Sequence, residues 1–351
     1  MLYLCYSIND FSVMQAGISM LSFLENNPDY EPDEVFFLNF GIMPINKERL
    51  NNIAAHYGKR VTYLSAKHVT NEIKRTYPHL SSWRGTMAPN AKAFMDKIMP
   101  EYVERLLFID ADTLVTGSVS ELNHLDMGGA ALAAVPQCWE SYLMRKGWLK
   151  LYSNSDMYFN SGVLLYDLNV WRNEDCNKMV IDMLRTKKQF YAPDQTLLNN
   201  AIPGRLQKQL PPKYNHNTHW QHPRQELKNL RIGNIHTEEE IQEAIHHPVI
   251  IHYTGGDHHA RPWHRGCRSY RIPEYMYYQN LSPWKDLPLF PRQTSFRPGL
   301  SGKCLQIYFW MMSKQPYSAL SDVTLTLCRK IEKVESRWHK MPAKMEEGIE
   351  G

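Results

Sequence analysis

The sequence predicts an α/β protein whose mostly parallel sheet carries helices on both faces. Three observations lead there. Short strand-like runs alternate with segments whose apolar residues recur at helical spacing. One run, Leu106-Leu107-Phe108-Ile109, is apolar throughout, as a strand covered on both faces must be. It is followed at once by Asp110-Ala111-Asp112, and the carboxyl ends of strands are where open α/β sheets bind ligands.

A strand at 2–6 opens the chain and passes through Ser7-Ile8-Asn9-Asp10 into a helix around 12–26. There Met14, Ile18, Leu21 and Leu24 fall on one face. Strands at 35–40 and 61–64 flank a helix near 46–57, and a helix near 89–99 precedes the Asp110 strand. Strands at 130–135 and 161–166 lead to helices near 175–187 and 194–201, and a last strand is expected at 249–253. Prolines at 283, 288, 291 and 298 then punctuate the chain. The expected organisation is one domain over 1–280, a Pro-rich linker over 281–298 and a tail over 299–351.

The 351 residues, 43% of them hydrophobic, suffice for one large domain with its own core plus an extension. The net charge of +4 is unevenly placed. Residues 292–344 hold ten Lys or Arg against three acids, and with Glu346, Glu347 and Glu350 the whole stretch from 292 accounts for the +4, leaving 1–291 neutral. The tail therefore faces a different partner from the body, and nothing in the body suggests nucleic acid. Six scattered cysteines without a C-x-x-C pair read as reduced thiols of a cytosolic protein. The opening apolar run, residues 2–6, is too short for a signal peptide or a membrane span.

The acids carry the first chemistry. Strand side chains alternate, so carboxylates two residues apart point the same way. Two such groups repel, and a divalent cation with oxygen ligands relieves the repulsion; the competing reading is an acidic turn. The second piece is Val249-Ile250-Ile251-His252-Tyr253-Thr254-Gly255-Gly256, a strand ending in histidine followed by glycines that let backbone approach a ligand. Imidazole beside two carboxylates suits manganese, against the alternative of a histidine simply hydrogen-bonded at a strand end. Arg261-Pro262-Trp263 places a guanidinium suited to phosphate near that loop. His216, His219 and His222 have a zinc-like spacing without a cysteine, and read as histidines beside a substrate or on the surface. Trp139, Trp148 and Trp171 read as mostly core, with a lid that stacks on a bound substrate as the alternative for aromatics between 137 and 158.

The motifs together resemble glycosyltransferase family 8, the retaining nucleotide-sugar transferases that include bacterial lipopolysaccharide galactosyl- and glucosyltransferases. The resemblance runs over about residues 1–265, through the Asp-x-Asp, Tyr158-Phe159-Asn160-Ser161-Gly162-Val163, Asp194-Gln195 and His252-Tyr253-Thr254-Gly255, in order. Gly17-Ile18-Ser19 and Leu24-Glu25-Asn26 fit the family's first helix. It implies a GT-A-type, Rossmann-like catalytic domain, followed here by the basic tail. It implies that Asp110, Asp112 and His252 bind Mn2+, with Mg2+ as the other candidate. Nucleotide-sugar contacts are implied for Tyr6, Ser7, Asn9, Asp10, Lys92, Asp110, Ala111, Asp112, Asn160, Ser161, Gly255 and Arg261, and catalytic roles for Gln195 and Asp194. Three departures stand out. Asn9-Asp10-Phe11-Ser12 replaces the family's Asp-Asp-Asn-Tyr; Lys92 stands where the family has arginine; and Asp257-His258-His259 lengthens the loop before Arg261.

The implied function is metal-dependent transfer of a hexose from UDP-galactose or UDP-glucose to a saccharide or lipid-linked acceptor, at the cytoplasmic face of the membrane. Gln195 is a poor nucleophile, so front-face attack is favoured, with a covalent intermediate on Asp194 as the alternative. The competing classes are a non-catalytic nucleotide-sugar or metal-binding module and a nucleotidyltransferase. The latter calls for a Gly-rich phosphate loop after the first strand, and Ser7–Phe11 has no glycine.

In the tail, Leu320, Val323, Leu327, Ile331, Val334 and Trp338 recur at spacings of three and four, flanked by Arg329, Lys330, Lys333 and Arg337. Such a basic amphipathic helix suits the headgroup region of an anionic membrane; packing on the body or on a partner chain is the alternative. Vesicle sedimentation tests it. Binding is expected to need anionic lipid, to weaken as salt rises and to vanish in a chain ending after residue 291. Equal binding to neutral vesicles contradicts the membrane reading.

Overall fold

A computed structural model of the protein describes residues 1–291 apart from 83–84, 148, 188–189, 191, 219–222, 255–260 and 268. In chain order the first half comprises β1 (Leu2–Ile8), α1 (Val13–Asn26), β2 (Glu34–Asn39), α2 (Pro44–His56), β3 (Arg60–Leu64), α3 (Lys67–Thr76), β4 (Arg105–Ile109), β5 (Thr113–Val115) and α4 (Ser120–His124). There follow β6 (Leu132–Pro136), α5 (Cys138–Arg145), β7 (Phe159–Asp167), α6 (Leu168–Asn173), α7 (Cys176–Thr186), α8 (Pro193–Ala201), β8 (Gln207–Gln209) and β9 (His216–Asn217). The last elements are α9 (Pro223–Leu230), α10 (Glu238–His246), β10 (Ile250–His252) and α11 (Ile272–Leu281).

Seven strands form the main sheet in the order β3-β2-β1-β4-β7-β6-β8. The pairs among β3, β2, β1 and β4 are parallel, as is β6 with β8, while β7 runs antiparallel to both neighbours. That reversal positions the site. It brings the start of β7, with Asn160, Ser161 and Gly162, to the carboxyl end of β4, where Val163 pairs with Ile109. Leu106 to Ile109 are fully covered, as their uninterrupted apolarity requires.

The expected last strand does not join this sheet. β10 lies in the middle of a second, three-stranded sheet, antiparallel to β5 and parallel to β9. The segment expected as a helix near 89–99 is instead a 3-10 stretch, Ala88–Lys97, broken by non-helical backbone at Phe94. Asn90 through Met95 are all buried, and tertiary contacts there, such as the Lys92 ammonium on Asp110, override the local helical spacing.

Helix α1 is buried from Val13 through Leu24, and its polar residues serve the edge of β5. The backbone N–H of Val115 donates to Ser22 Oγ at 2.9 Å, and Asn26 Nδ2 donates to the carbonyl of Val115 at 3.1 Å. Beneath the acidic turn runs a one-way hydrogen-bond chain. Thr113 Oγ1 donates to the Asp110 carbonyl (2.8 Å), so it must accept from Ser19 Oγ (2.9 Å), which accepts from Tyr6 Oη (3.1 Å).

The compact body extends past the expected boundary at 280 to Pro291. Trp284 is 1% exposed and lies against α1 where Gly17 leaves room: a Cβ at Gly17 would stand 2.3 Å from the indole. Phe290 N–H donates to the Trp263 carbonyl at 2.8 Å. Residues 292–351, with the rest of the linker and the tail, lie outside the described residues. No helix among the described residues is long and apolar enough to cross a membrane.

A chain ending after residue 280 should therefore be less stable than one ending after 291, by about the 3–5 kcal/mol typical of deleting a buried tryptophan. Trp284→Ala in the full chain should show a loss of the same order in urea unfolding. Equal midpoints for the two truncations contradict this packing.

Candidate active site

Asp110, Ala111 and Asp112 occupy the turn between β4 and β5, one step beyond the strand. The strand pleat therefore does not aim the two carboxylates, contrary to the sequence argument; the turn does. Asp110 N–H donates to the Gly162 carbonyl and Tyr253 N–H to the Asp112 carbonyl, each at 2.8 Å. β5 then leaves the main sheet to pair with β10 in a register that sets His252 opposite Thr113. Ligand atoms of Asp110, Asp112 and His252 consequently lie within 4.8 Å of one another.

The histidine reaches that position because residue 162 is glycine. A Cβ there would lie 2.0 Å from His252 Cε1 and 2.6 Å from Nδ1. His252 Nε2 stands 3.2 Å from Asp112 Oδ1, and its Nδ1 stands 2.8 Å from Asn215 Oδ1. Two carboxylate oxygens and an imidazole nitrogen this close form a donor set that fits Mn2+ or Mg2+, with manganese the better match to a nitrogen ligand.

Lys92, its side chain 1% exposed, places its ammonium 2.9 Å from Asp110 Oδ1 and 3.0 Å from Asp194 Oδ2, and donates to the Ser161 carbonyl at 3.0 Å. Burial works against its charge, but the two carboxylates outweigh it and hold its pKa above lysine's usual value. Asp110 moves upward: desolvation and the adjacent Asp112 raise it more than Lys92 lowers it. Asp112 moves down despite its own desolvation, because His252 and Arg261 stabilise its charge.

Asp194 and Gln195 lie in the first turn of α8, which Asn199 docks onto the start of β7 by accepting from Phe159 N–H (2.8 Å) and donating to the Phe159 carbonyl (2.9 Å). Ser161 joins both residues to the acidic turn. Its Oγ donates to Asp194 Oδ2 at 2.8 Å and its backbone N–H to Gln195 Oε1 at 3.2 Å. Gln195 Nε2 donates in turn to Gln137 Oε1 at 2.8 Å.

The turn after β1 is less uniform. Ser7 Oγ donates to the Ala88 carbonyl at 2.7 Å, and Asp10 Oδ1 accepts from Met43 N–H (2.8 Å) and Asn46 Nδ2 (2.9 Å) at the start of α2. Asn9 is half-buried beside Phe11, which is 91% exposed. Tyr6 has no exposed surface, and its hydroxyl turns inward onto Ser19, so its side chain belongs to the core rather than the cleft. Ala111 packs half-buried against the core, and Asn160 Oδ1 accepts from Gly162 N–H at 2.8 Å. Arg261 sits on Asp112 Oδ2 at 3.2 Å, within the acidic cluster. Gly255 lies outside the described residues.

His216 is buried, not a surface residue: its Nε2 lies 2.7 Å from Glu226 Oε2 in the interior. His219, His222 and Trp148 lie outside the described residues; Trp171 is core and Trp139 half-buried. Sequence reasoning missed Gln137 and Asn215. Neither belongs to a motif, and each meets its partner across a long stretch of chain.

The model of glycosyl transferase family 8 matches residues 3–267. General stress protein A of Bacillus subtilis is 25% identical over 276 residues, 77% of this chain and 90% of that protein. Lipopolysaccharide 1,2-glucosyltransferase of Escherichia coli K12 is 26% identical over 289 residues, 81% of this chain and 79% of that one. Among solved structures, the galactosyltransferase LgtC in complex with donor and acceptor sugar analogues superposes with a TM-score of 0.62 at 19% identity, covering 81% of this chain and 96% of that one. This last likeness shows the GT-A fold.

Replacing Lys92 by methionine leaves two carboxylates facing each other without their cation, and breaking a buried pair in this way costs about 3–5 kcal/mol. An acid whose folded pKa is raised gains stability as pH falls, so the deficit should shrink on acidification as Asp110 takes up a proton in the folded state. Urea unfolding of the metal-free protein at pH 7.5 and pH 5, taken as about neutral and mildly acidic, checks both the loss and its sign.

Proposed function

The chain belongs to glycosyl transferase family 8 and is a glycosyltransferase; on that premise we propose that it moves a hexose from UDP-glucose or UDP-galactose, with retention, onto a saccharide or lipid-linked saccharide, using a divalent metal. The observation that carries this reading is the convergence of Asp110, Asp112 and His252, joined through Lys92 and Ser161 to the amide of Gln195.

Asp110, Asp112 and His252 would hold the metal, which when bound supplies positive charge against the diphosphate. The chain's own residues do the rest. Asn160 and Ser161 face the donor sugar, Ser7, Asn9 and Asp10 line the nucleotide end, and Gly255 and Arg261 serve the diphosphate. Arg261 reaches that role by exchanging Asp112 for a phosphate oxygen, since both are anionic acceptors for the same guanidinium. Lys92 pairs with both Asp110 and Asp194 and holds the two carboxylates in place.

In the transfer, the bond from the anomeric carbon to the diphosphate oxygen breaks and a bond to the acceptor oxygen forms on the same face. The acceptor's proton passes to the departing diphosphate, and UDP leaves. Gln195, held at both ends by Ser161 and Gln137, presents a fixed dipole to the oxocarbenium-like centre. Asp194 accepts from both Lys92 and Ser161, and a carboxylate so engaged is a weak nucleophile, which favours front-face attack over a covalent intermediate.

The acceptor is read as a glycolipid for two reasons. The Escherichia coli relative is named for action on lipopolysaccharide, and the basic tail suits an anionic membrane surface on which such an acceptor would sit.

Manganese-dependent hydrolysis of UDP-glucose or UDP-galactose without acceptor is the direct test. Asp110→Ala, Asp112→Ala and His252→Ala should each lower it by about 100-fold or more, several kcal/mol of lost charge stabilisation. Gln195→Ala should cost about 10- to 1,000-fold without any trapped glycosyl-enzyme. Full activity in chelator ends the metal-dependent reading, and a covalent adduct on Asp194 in the mass spectrum overturns front-face attack.

A further inference from the structure

Asn215 lies outside every motif. It is 6% exposed, at the end of a 3-10 turn (Pro212–Asn215) that leads into β9. Its amide bridges two residues of the site: Nδ2 is 3.0 Å from Asn160 Oδ1, and Oδ1 is 2.8 Å from His252 Nδ1. Asn160 Oδ1 also meets the backbone N–H of Gly162 at 2.8 Å.

The orientation of a side-chain amide usually has to be assigned from its surroundings. Here the surroundings leave one solution. A backbone N–H only donates, so the Asn160 atom facing Gly162 is the carbonyl oxygen. That oxygen only accepts, so the Asn215 atom facing it is the NH2 group. The remaining Asn215 atom is then an oxygen, and His252 Nδ1 must carry a hydrogen to meet it. A neutral imidazole protonated on Nδ1 has its lone pair on Nε2, the nitrogen 3.2 Å from Asp112 Oδ1.

We propose that Gly162, Asn160 and Asn215 form a relay that fixes the tautomer of His252, so that Nε2 presents a lone pair to a divalent cation. Asn215 is thus a positioning residue for the metal, and the inference rests on the metal reading of the Asp110–Asp112–His252 cluster. A lone pair and a carboxylate oxygen facing each other repel; a proton on Nε2 relieves this in the metal-free site by bonding Asp112, and a divalent cation would relieve it by taking that proton's place. Which imidazole nitrogen is free to bind a metal is set by the hydrogen bond made by the other, and losing such an outer partner costs about 10- to 100-fold in metal affinity.

The test begins with the unmodified, metal-free protein carrying 15N-labelled histidine, at alkaline pH. Long-range 1H–15N spectra, with the His252 signals identified by their loss in His252→Gln, should show a proton-bearing Nδ1, whether or not Nε2 carries one as well. Mn2+ affinity is then measured by calorimetry on the unmodified protein, on Asn215→Leu, which keeps volume without an acceptor, and on Asn215→Asp, which keeps an acceptor for Nδ1–H. The leucine variant should bind about 10- to 100-fold more weakly, with the aspartate variant between it and the unmodified protein. A ring protonated on Nε2 alone overturns the proposal whether or not any variant folds, and so does an Asn215→Leu protein that binds Mn2+ as the unmodified one does. Absence of Mn2+ binding by the unmodified protein overturns the metal reading itself and the relay's purpose with it. That failure is distinguishable, because the tautomer is read without metal.

Discussion

Three carboxylates, those of Asp110, Asp112 and Asp194, crowd the end of one strand, and the surrounding structure is organised to tolerate them. Lys92 answers two of them and Arg261 the third, while His252 leans on Asp112. Leaving the imidazole out of the count, three carboxylates against Lys92 and Arg261 leave one negative unit, which a divalent ion would convert into one positive unit. That is the sign a site needs if it is to receive a diphosphate and see it leave as a dianion. The same crowding accounts for features that look odd in isolation. A lysine is fully buried. The arginine expected on phosphate rests on an aspartate.

Much of this was legible in the chain. The apolar run ending in Asp110 had to be a covered strand, and the order of strand and helix required a mostly parallel sheet. Asp110, Asp112 and His252 were recognisable as a group although 140 residues separate the last two. What was illegible depends on pairing. The register of β5 against β10 moves His252 out of the main sheet, and no local pattern marks a three-residue strand such as β5 as belonging elsewhere. The two acids were read as sharing one face of a strand, whereas the turn beyond the strand brings them together. Gln137 and Asn215 had no signal at all. Each acts through one or two hydrogen bonds to residues 37 to 58 positions away, and a lone amide in a sequence says nothing about its partners.

The acidic turn is fixed from below as well as from the side. Helix α1 looks like an apolar core helix, yet its Ser22 and Asn26 are turned to β5, where they satisfy backbone groups that a sheet edge would otherwise leave unpaired. The one-way chain from Tyr6 through Ser19 and Thr113 ends on the carbonyl of Asp110. The body thereby couples its hydrophobic interior to its most polar point, and Trp284, seated on Gly17, presses the same helix from the opposite side.

Gly162 gathers these constraints into a single position. Its N–H starts the amide relay, its carbonyl takes the N–H of Asp110, and the place a Cβ would occupy is filled by the ring of His252. Almost any substitution preserves the two backbone functions, and none but glycine preserves the third. Residues 162 and 252 are therefore not free to drift independently. Alanine becomes acceptable at 162 only once the imidazole has gone and Asn160 has shifted, since its Oδ1 too would stand 2.9 Å from the new Cβ. Loss of either residue removes the main reason for keeping the other, so in descendants of such a chain the two should disappear together, as a paired scar of abandoned chemistry.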